Sequence, residues 1–192
     1  MGYKYEKEDI LKIGYDILRK NGYYHVGINQ ILKEAGLPKG SFYNFFESKE
    51  DFAQQVIRFY GESTKAWLEE YFSREGSPLT IIREFYNSLV DGNEADGYSS
   101  GCLINNMSNE IGRLNETLAQ EADEHFKQWI GVIAKTVEKG QNAGEITKKA
   151  TAIELAEYLH AGIYGSFARM KVTGSRTYMD KWVELTMDFI KA

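Results

Sequence analysis

One cysteine, two prolines, three histidines and three tryptophans are what this 192-residue chain has least of. A single thiol, Cys102, excludes an intramolecular disulfide framework and fits a reducing cytoplasm. Two prolines against eighteen glycines suit long helices, since proline breaks helix interiors and glycine is favoured just past helix ends. No run of about eighteen apolar residues exists, so nothing is expected to span a membrane. The stretch Met1-Gly2-Tyr3-Lys4-Tyr5-Glu6-Lys7 has no apolar core like that of a secretory signal. Internal repeats and low-complexity tracts are missing too. What is present is a 43% hydrophobic, 14% aromatic composition, enough for a real core in one domain or in a small domain fused to a larger one.

The most informative stretch runs from Gly27 to Glu50. Ile28, Ile31, Leu32 and Ala35 fall at i, i+3, i+4 and i+7, one apolar face of a short helix. Gly36 stops it, and Pro38 fits the first position of a second helix, where a missing N–H costs nothing. On that second helix Phe42, Phe45 and Phe46 share a face, while Gly40 and Asn44 point the other way, flanked by Ser41 and Tyr43. Two short helices around a glycine turn, the second with a small polar outer face, describe a helix-turn-helix.

The run Glu34-Ala-Gly-Leu-Pro-Lys-Gly-Ser-Phe-Tyr43, continued by Phe46, Ser48, Lys49 and Glu50, resembles the DNA-binding signature of the TetR family of bacterial transcriptional regulators. The signature covers roughly the first third of the chain. One departure is Val26-Gly27 where the family usually has Ser or Thr; glycine in place of serine at an N-cap costs only a few tenths of a kcal/mol. The resemblance implies an all-α fold: a three-helix head at residues 1–49 that binds DNA, joined by a long helix to a helical effector-binding and dimerisation body at 50–192. It implies that Lys39, Gly40, Ser41, Tyr43, Asn44 and Lys49 face a near-palindromic double-stranded operator. Lys4 and Lys7, ahead of the first helix, could reach phosphate as well. Charge agrees with this division. Residues 1–49 hold 8 Lys and Arg against 6 Asp and Glu, net +2, and residues 50–192 hold 15 against 22, net −7. Only the head needs to meet phosphate.

In chain order, residues 8–20 read as the first helix, with Ile10, Ile13, Gly14, Ile17 and Leu18 on one stripe and Asn21-Gly22 as its stop. Ser48, with Asp51 three positions on, opens a helix reaching about Phe72. Pro78 starts another, and Asp91 to Ser100 reads as the longest loop. Leu103, Met107, Ile111 and Leu114 then repeat every three or four residues, and a long helix spans about 115–142. The last two helices are expected at about 150–171 and 177–191. By the resemblance, they pair into a two-fold four-helix interface between two copies of the chain, using Ile163, Phe167, Trp182, Leu185 and Phe189.

The sequence Gly101-Cys102-Leu103, followed by Asn, Ser and Glu, resembles a TetR subgroup that includes sensors of reactive electrophiles. At a helix start a thiolate gains from the helix dipole and free N–H groups. The other reading of Cys102 is a small buried side chain. The family also implies a small-molecule pocket in the body, with Trp67, Tyr71, Phe85, Tyr86 and Met107 as candidate lining. Phe126, Trp129, Tyr158 and His160 complete that set.

Two further readings stand beside the regulator. Glu157 and His160 fit the Glu-x-x-His spacing of carboxylate-bridged metal enzymes. That site needs a second such pair, and neither His25 nor His125 has a glutamate three residues before it. Glu121 and His125, four apart, share a helix face. No nucleophile elbow, phosphate loop or Cys–His pair is visible, so no enzyme, cofactor or metal is expected. The second reading, a helical ligand- or redox-sensing module that never touches DNA, leaves the helix-turn-helix without a purpose.

Overall fold

The computed structural model of the chain describes residues 6–99 and 101–192. Among them run nine helices: α1 (Lys7–Asn21), α2 (Ile28–Glu34), α3 (Lys39–Phe42), α4 (Lys49–Phe72), α5 (Pro78–Ala95), α6 (Leu103–Ile111), α7 (Glu116–Asn142), α8 (Ala152–Thr173) and α9 (Thr177–Ile190). The described residues otherwise hold only an isolated antiparallel bridge between Ile146 and Lys191. The fold is all-α, as expected.

Helix starts follow local chemistry. Ser48 Oγ accepts the Asp51 N–H at 3.0 Å while Asp51 Oδ2 accepts the Glu47 N–H at 2.8 Å, so the first turn of α4 is capped from both sides. Ser77 Oγ accepts the Thr80 N–H at 3.2 Å ahead of Pro78. Thr151 and Glu154 close a capping box on α8. The start of α2 at Gly27 has no side-chain cap, the weakness read from the sequence.

Two stretches depart from expectation. The loop expected at 91–100 is helical through Ala95. Asn93 Nδ2 donates to the Leu89 carbonyl at 2.7 Å, and the Asp91 and Glu94 carboxylates bind the Arg176 guanidinium at 3.1 and 2.6 Å, which gives these polar residues partners while they remain helical. Ser100 lies outside the described residues. Leu114, expected on the stripe with Leu103, Met107 and Ile111, is 78% exposed, because α6 ends at Gly112 before that stripe reaches it.

The chain forms two compact units. The first comprises the described residues through Ser63 with Cys102–His125, and the second Thr64–Gly101 with Phe126–Ala192. In the first unit α6 and the opening of α7 group with the helix-turn-helix. Its core joins Leu18, Val26, Ile31, Phe42, Phe46, Phe52 and Ile57 to Leu103, Ile104, Met107 and Ile111, all fully buried. Gly14 lets α1 meet α4 closely: a Cβ there would overlap the Phe52 ring and stand 2.8 Å from Val56. Farther along α4, Arg58 clasps Glu121 of α7 with Nη2–Oε2 at 2.7 Å and Nε–Oε1 at 3.0 Å, and Gln54 Nε2 donates to Oε2 at 3.0 Å. In the second unit α9 packs on both α5 and α8. Tyr86 meets Trp182 edge-to-face at 4.9 Å, and the Trp182 indole lies where a side chain on Gly162 would go.

Candidate nucleic-acid interface and effector region

The second helix of the helix-turn-helix is short, Lys39–Phe42, and continues as a turn through Phe45. Its two faces are nonetheless sharply different. Phe42 and Phe46 are fully buried and lie 5.6 and 5.0 Å from the Phe52 ring. Phe45 is half-buried. On the outer side Lys39, Gly40, Tyr43 and Asn44 are exposed, and Ser41 is half-buried. Among the described residues nothing outside its own helix and chain neighbours lies within 4 Å of the position a Cβ on Gly40 would take, so no packing contact there requires a glycine. Lys49 is half-buried at the start of α4, with Nζ 4.3 Å from the centroid of the Tyr23 ring. Burial draws its ammonium below the usual lysine value, against the opposing influence of the Glu110 charge. Lys7 opens α1 with Nζ 5.9 Å from the Phe46 ring centroid; Lys4 lies outside the described residues.

Sequence reading missed the turn Gly22-Tyr23-Tyr24 as part of this face. Tyr23 is buried under Lys49, and Tyr24 is exposed and packs edge-on against it at 5.0 Å. It also missed Glu110, whose carboxylate reaches this turn from α6. No spacing rule connects residues 86 positions apart.

Cys102 is the N-cap of α6, buried, with an extended backbone at φ −87° and ψ 131°. The Tyr60 hydroxyl donates to its Sγ at 3.6 Å, Tyr60 stacks on Tyr15 at 5.1 Å, and the Arg19 guanidinium covers Tyr15 at 4.8 Å. The thiol is thereby joined through two aromatic rings to α1. Met107, one of the candidate lining residues, is fully buried in the same unit.

The other candidates fall in the second unit and separate into three groups. Trp67, Tyr71, Phe72 and Phe85 form one aromatic cluster, with Trp67 and Phe85 rings 5.3 Å apart. Tyr86 extends it; its hydroxyl is buried and has no hydrogen-bond partner among the described residues, and burial pushes its pKa up. Phe126, Trp129, His160 and Tyr164 form a second cluster, with His160 4.8 Å from Phe126 and 4.6 Å from Tyr164. Burial among these rings lowers the His160 pKa to about 4, so the imidazole is neutral. Tyr158 belongs to neither cluster: it is exposed and lies 5.4 Å from Phe189.

The expected dimer residues divide likewise. Leu185 is 57% and Phe189 64% exposed. Ile163 and Phe167 are 3% and 5% exposed, so within the protomer they are core and offer a partner little area. Half-buried Trp182 packs on Tyr86. The reason is rotational. On α8 the exposed row is Tyr158, Ala161, Gly165, Ala168 and Val172, and the Ile163–Phe167 row is buried within the protomer instead. Glu157 is exposed whereas His160 packs between rings, so the Glu-x-x-His spacing does not bring its two ends to one place. Among the described residues no group of three or more His, Cys, Asp or Glu could hold a metal ion. Nor is any helix there long and apolar enough to cross a membrane.

Two family models match. The one described as bacterial regulatory proteins, tetR family, covers residues 10–56, and the one described as tetracyclin repressor-like, C-terminal domain, covers residues 78–185. The HTH-type transcriptional repressor DhaR of Mycobacterium sp. (strain GP1) is 28% identical over 183 residues, covering 95% of this chain and 90% of that protein. The crystal structure of regulatory protein TetR from Rhodobacter sphaeroides superposes with a TM-score of 0.89 at 27% identity, covering 95% of this chain and 97% of that one. The reduced form of Escherichia coli NemR gives 0.87 at 25% identity, with 96% of each chain covered.

Proposed function

The chain belongs to the tetR family of bacterial regulatory proteins and is a DNA-binding transcriptional regulator; on that premise we propose a homodimeric repressor that leaves its operator when an effector acts on the body. The relatives are transcriptional regulators, not enzymes. In this reading residues 1–49 are the DNA-binding domain and residues 50–192 the effector-binding and dimerisation domain, working in the cytoplasm. Lys39, Gly40, Ser41, Tyr43, Asn44 and Lys49 face DNA, with Tyr43 and Lys49 on phosphates and Asn44 at base edges.

The observation that carries this is the two-faced recognition segment: Phe42 and Phe46 anchored on Phe52, with an uncrowded Gly40 beside exposed Tyr43 and Asn44. A bare backbone position is what close approach to a duplex requires. The test is binding to the chain's operator, recovered by selection from random duplexes. Gly40→Leu abolishes binding while the dimer stays folded, and Lys49→Ala weakens specific and random duplexes alike, with a salt slope shallower by about one. Unchanged operator affinity in both Gly40→Leu and Tyr43→Ala removes the assignment.

The dimer face is the exposed apolar surface of α8 and α9, carrying Tyr158, Val172, Leu185 and Phe189. The small Ala161, Gly165 and Ala168 allow close helix approach there. Two heads related by a two-fold axis match a near-palindromic operator with half-sites about one helical turn apart, or a multiple of it.

Release has two routes. In the first, an electrophile or oxidant modifies Cys102, which places this chain with the electrophile-responsive subgroup. Its support is the thiol's position at the start of α6, bonded to Tyr60; an adduct there breaks the Tyr60 bond and presses on the ring stack leading to α1. In the second, a reversible apolar effector binds in the body, supported by the aromatic clusters of the second unit. Either effector shifts the equilibrium only by its differential affinity for the two states, about 5.5 kcal/mol taking it from 1:99 to 99:1. Cys102→Ser decides. Loss of release by N-ethylmaleimide or hypochlorite with retained DNA binding supports the thiol route; release identical to wild type leaves the aromatic clusters.

A further inference from the structure

Glu110 has no role in the proposed function, yet its carboxylate reaches from α6 to the turn that precedes the helix-turn-helix. Its Oε2 accepts the N–H of Tyr24 at 3.1 Å. The same carboxylate fills the space over Gly22 where a Cβ would stand, and Gly22 has φ +77°, a conformation that L side chains rarely adopt. One helical turn earlier, Asn106 Nδ2 donates to the Arg19 carbonyl at 3.3 Å. Asn106 and Glu110 thus line one face of α6 along the end of α1 and the turn that follows it. That turn carries Tyr23, the ring beneath the Lys49 ammonium.

We infer that Glu110 is a positioning residue for DNA binding: its hydrogen bond to Tyr24 holds the Gly22-Tyr23-Tyr24 turn, and with it the ring on which the Lys49 ammonium rests. Lys49 is half-buried, so its reach toward a phosphate depends on where Tyr23 lies. A lysine on a free tether keeps its charge but spends little time in one place, and ordering it on contact costs side-chain entropy. The bond at Tyr24 meets that cost in advance. Gly22 serves as the socket: its backbone angle strains any side chain there, and a Cβ would displace the Glu110 carboxylate. The inference rests on the reading that Lys49 meets phosphate.

Two variants of equal charge separate positioning from electrostatics. Glu110→Gln and Glu110→Ala each remove one negative charge at the same place, so repulsion from DNA falls equally in both. Only Gln keeps an oxygen for the Tyr24 N–H. Binding to a fluorescein-labelled 30-base-pair random duplex is titrated from about 50 to 200 mM salt. Glu110→Gln is expected to bind at least as tightly as wild type with the same salt slope. Glu110→Ala is expected to bind about 10-fold more weakly than Gln, with a slope shallower by about one because Lys49 has lost its place. Equal affinities for Ala and Gln, or Ala tighter than wild type, overturn the inference. Should Glu110→Ala not fold, Glu110→Asp takes its place; it keeps the charge and withdraws the carboxylate by one methylene, so wild-type binding by Asp overturns the inference equally. Lys49→Ala, measured beside them, keeps the premise separate: an unchanged slope there means that the phosphate assignment has failed and not the hydrogen bond.

Discussion

Tyr86 and His160 show what a polar atom costs inside the second unit. The Tyr86 side chain is 1% exposed and its hydroxyl has no partner among the described residues, while Trp182 and Phe85 hold the ring. An unpaired buried hydroxyl costs about 1–3 kcal/mol, so Tyr86→Phe is expected to raise stability by about 1 kcal/mol, read as a higher urea midpoint at unchanged slope. A fall in the midpoint would mean that the hydroxyl contributes to the folded state. His160 gives a pH dependence. Its folded pKa is about 4 against 6.5 unperturbed, so between those values the unfolded chain binds a proton that the folded chain refuses. Stability on this account is full above pH 6.5 and falls as pH drops, by about 1.4 kcal/mol per unit, levelling off below pH 4. The wild type should therefore lose more stability between pH 7 and pH 5 than His160→Gln does. Equal losses in the two proteins would place the cause in other groups. In the sequence Tyr86 was only a candidate pocket-lining residue, and His160 was that and one end of a Glu-x-x-His spacing; neither reading showed an unpaired hydroxyl or an imidazole held neutral among rings. Helical spacing reports which side of a helix faces inward, not whether a hydroxyl finds an acceptor once there.

At the scale of the element, two glycines of similar appearance divide by what surrounds them. Gly61 of α4 lies so close to His125 of α7 that a Cβ would overlap the imidazole, and His125 is 4% exposed with no room to yield. Gly61→Ala is expected to destabilise the protein by about 1–3 kcal/mol through overpacking. Gly40 of α3 has open space around it. Gly40→Ala should leave stability unchanged or raise it by up to about 1 kcal/mol through helix propensity, while weakening DNA binding. Paired urea melts and duplex titrations check both, and a stability loss at Gly40 equal to that at Gly61 would contradict this account. The start of α4 was legible from the chain because Ser48 acts on a neighbour three residues away, and that of α5 because Pro78 opens it; the Thr151 cap of α8 acts over the same distance and went unread. The end of α5 was not legible, because what keeps Asp91 and Glu94 in a helix is Arg176, more than eighty residues on.

For the whole molecule, the exposed face of α8 and α9 predicts assembly. Leu185→Glu combined with Phe189→Glu is expected to leave the fold intact and give a monomer by sedimentation at tens of micromolar. Phe167→Ala, by contrast, should cost about 3–5 kcal/mol of folding stability, because Phe167 is core within the protomer. A double glutamate variant that sediments as a dimer would remove this face from the assembly. The sequence by itself determined the succession of amphipathic helices, the helix-turn-helix with its glycine stop and proline start, and the inward Phe42 and Phe46. Each of these follows from neighbours within about one or two helical turns, where propensity, capping and 3.6-residue periodicity operate. Only the tertiary structure decided which apolar row of α8 is buried and which stays bare, that Tyr158 sits with Phe189 and apart from the aromatic clusters, and that Glu110 seats on Gly22. Those outcomes depend on which surfaces meet across long stretches of chain, and a stripe of apolar residues carries no mark of the partner that covers it.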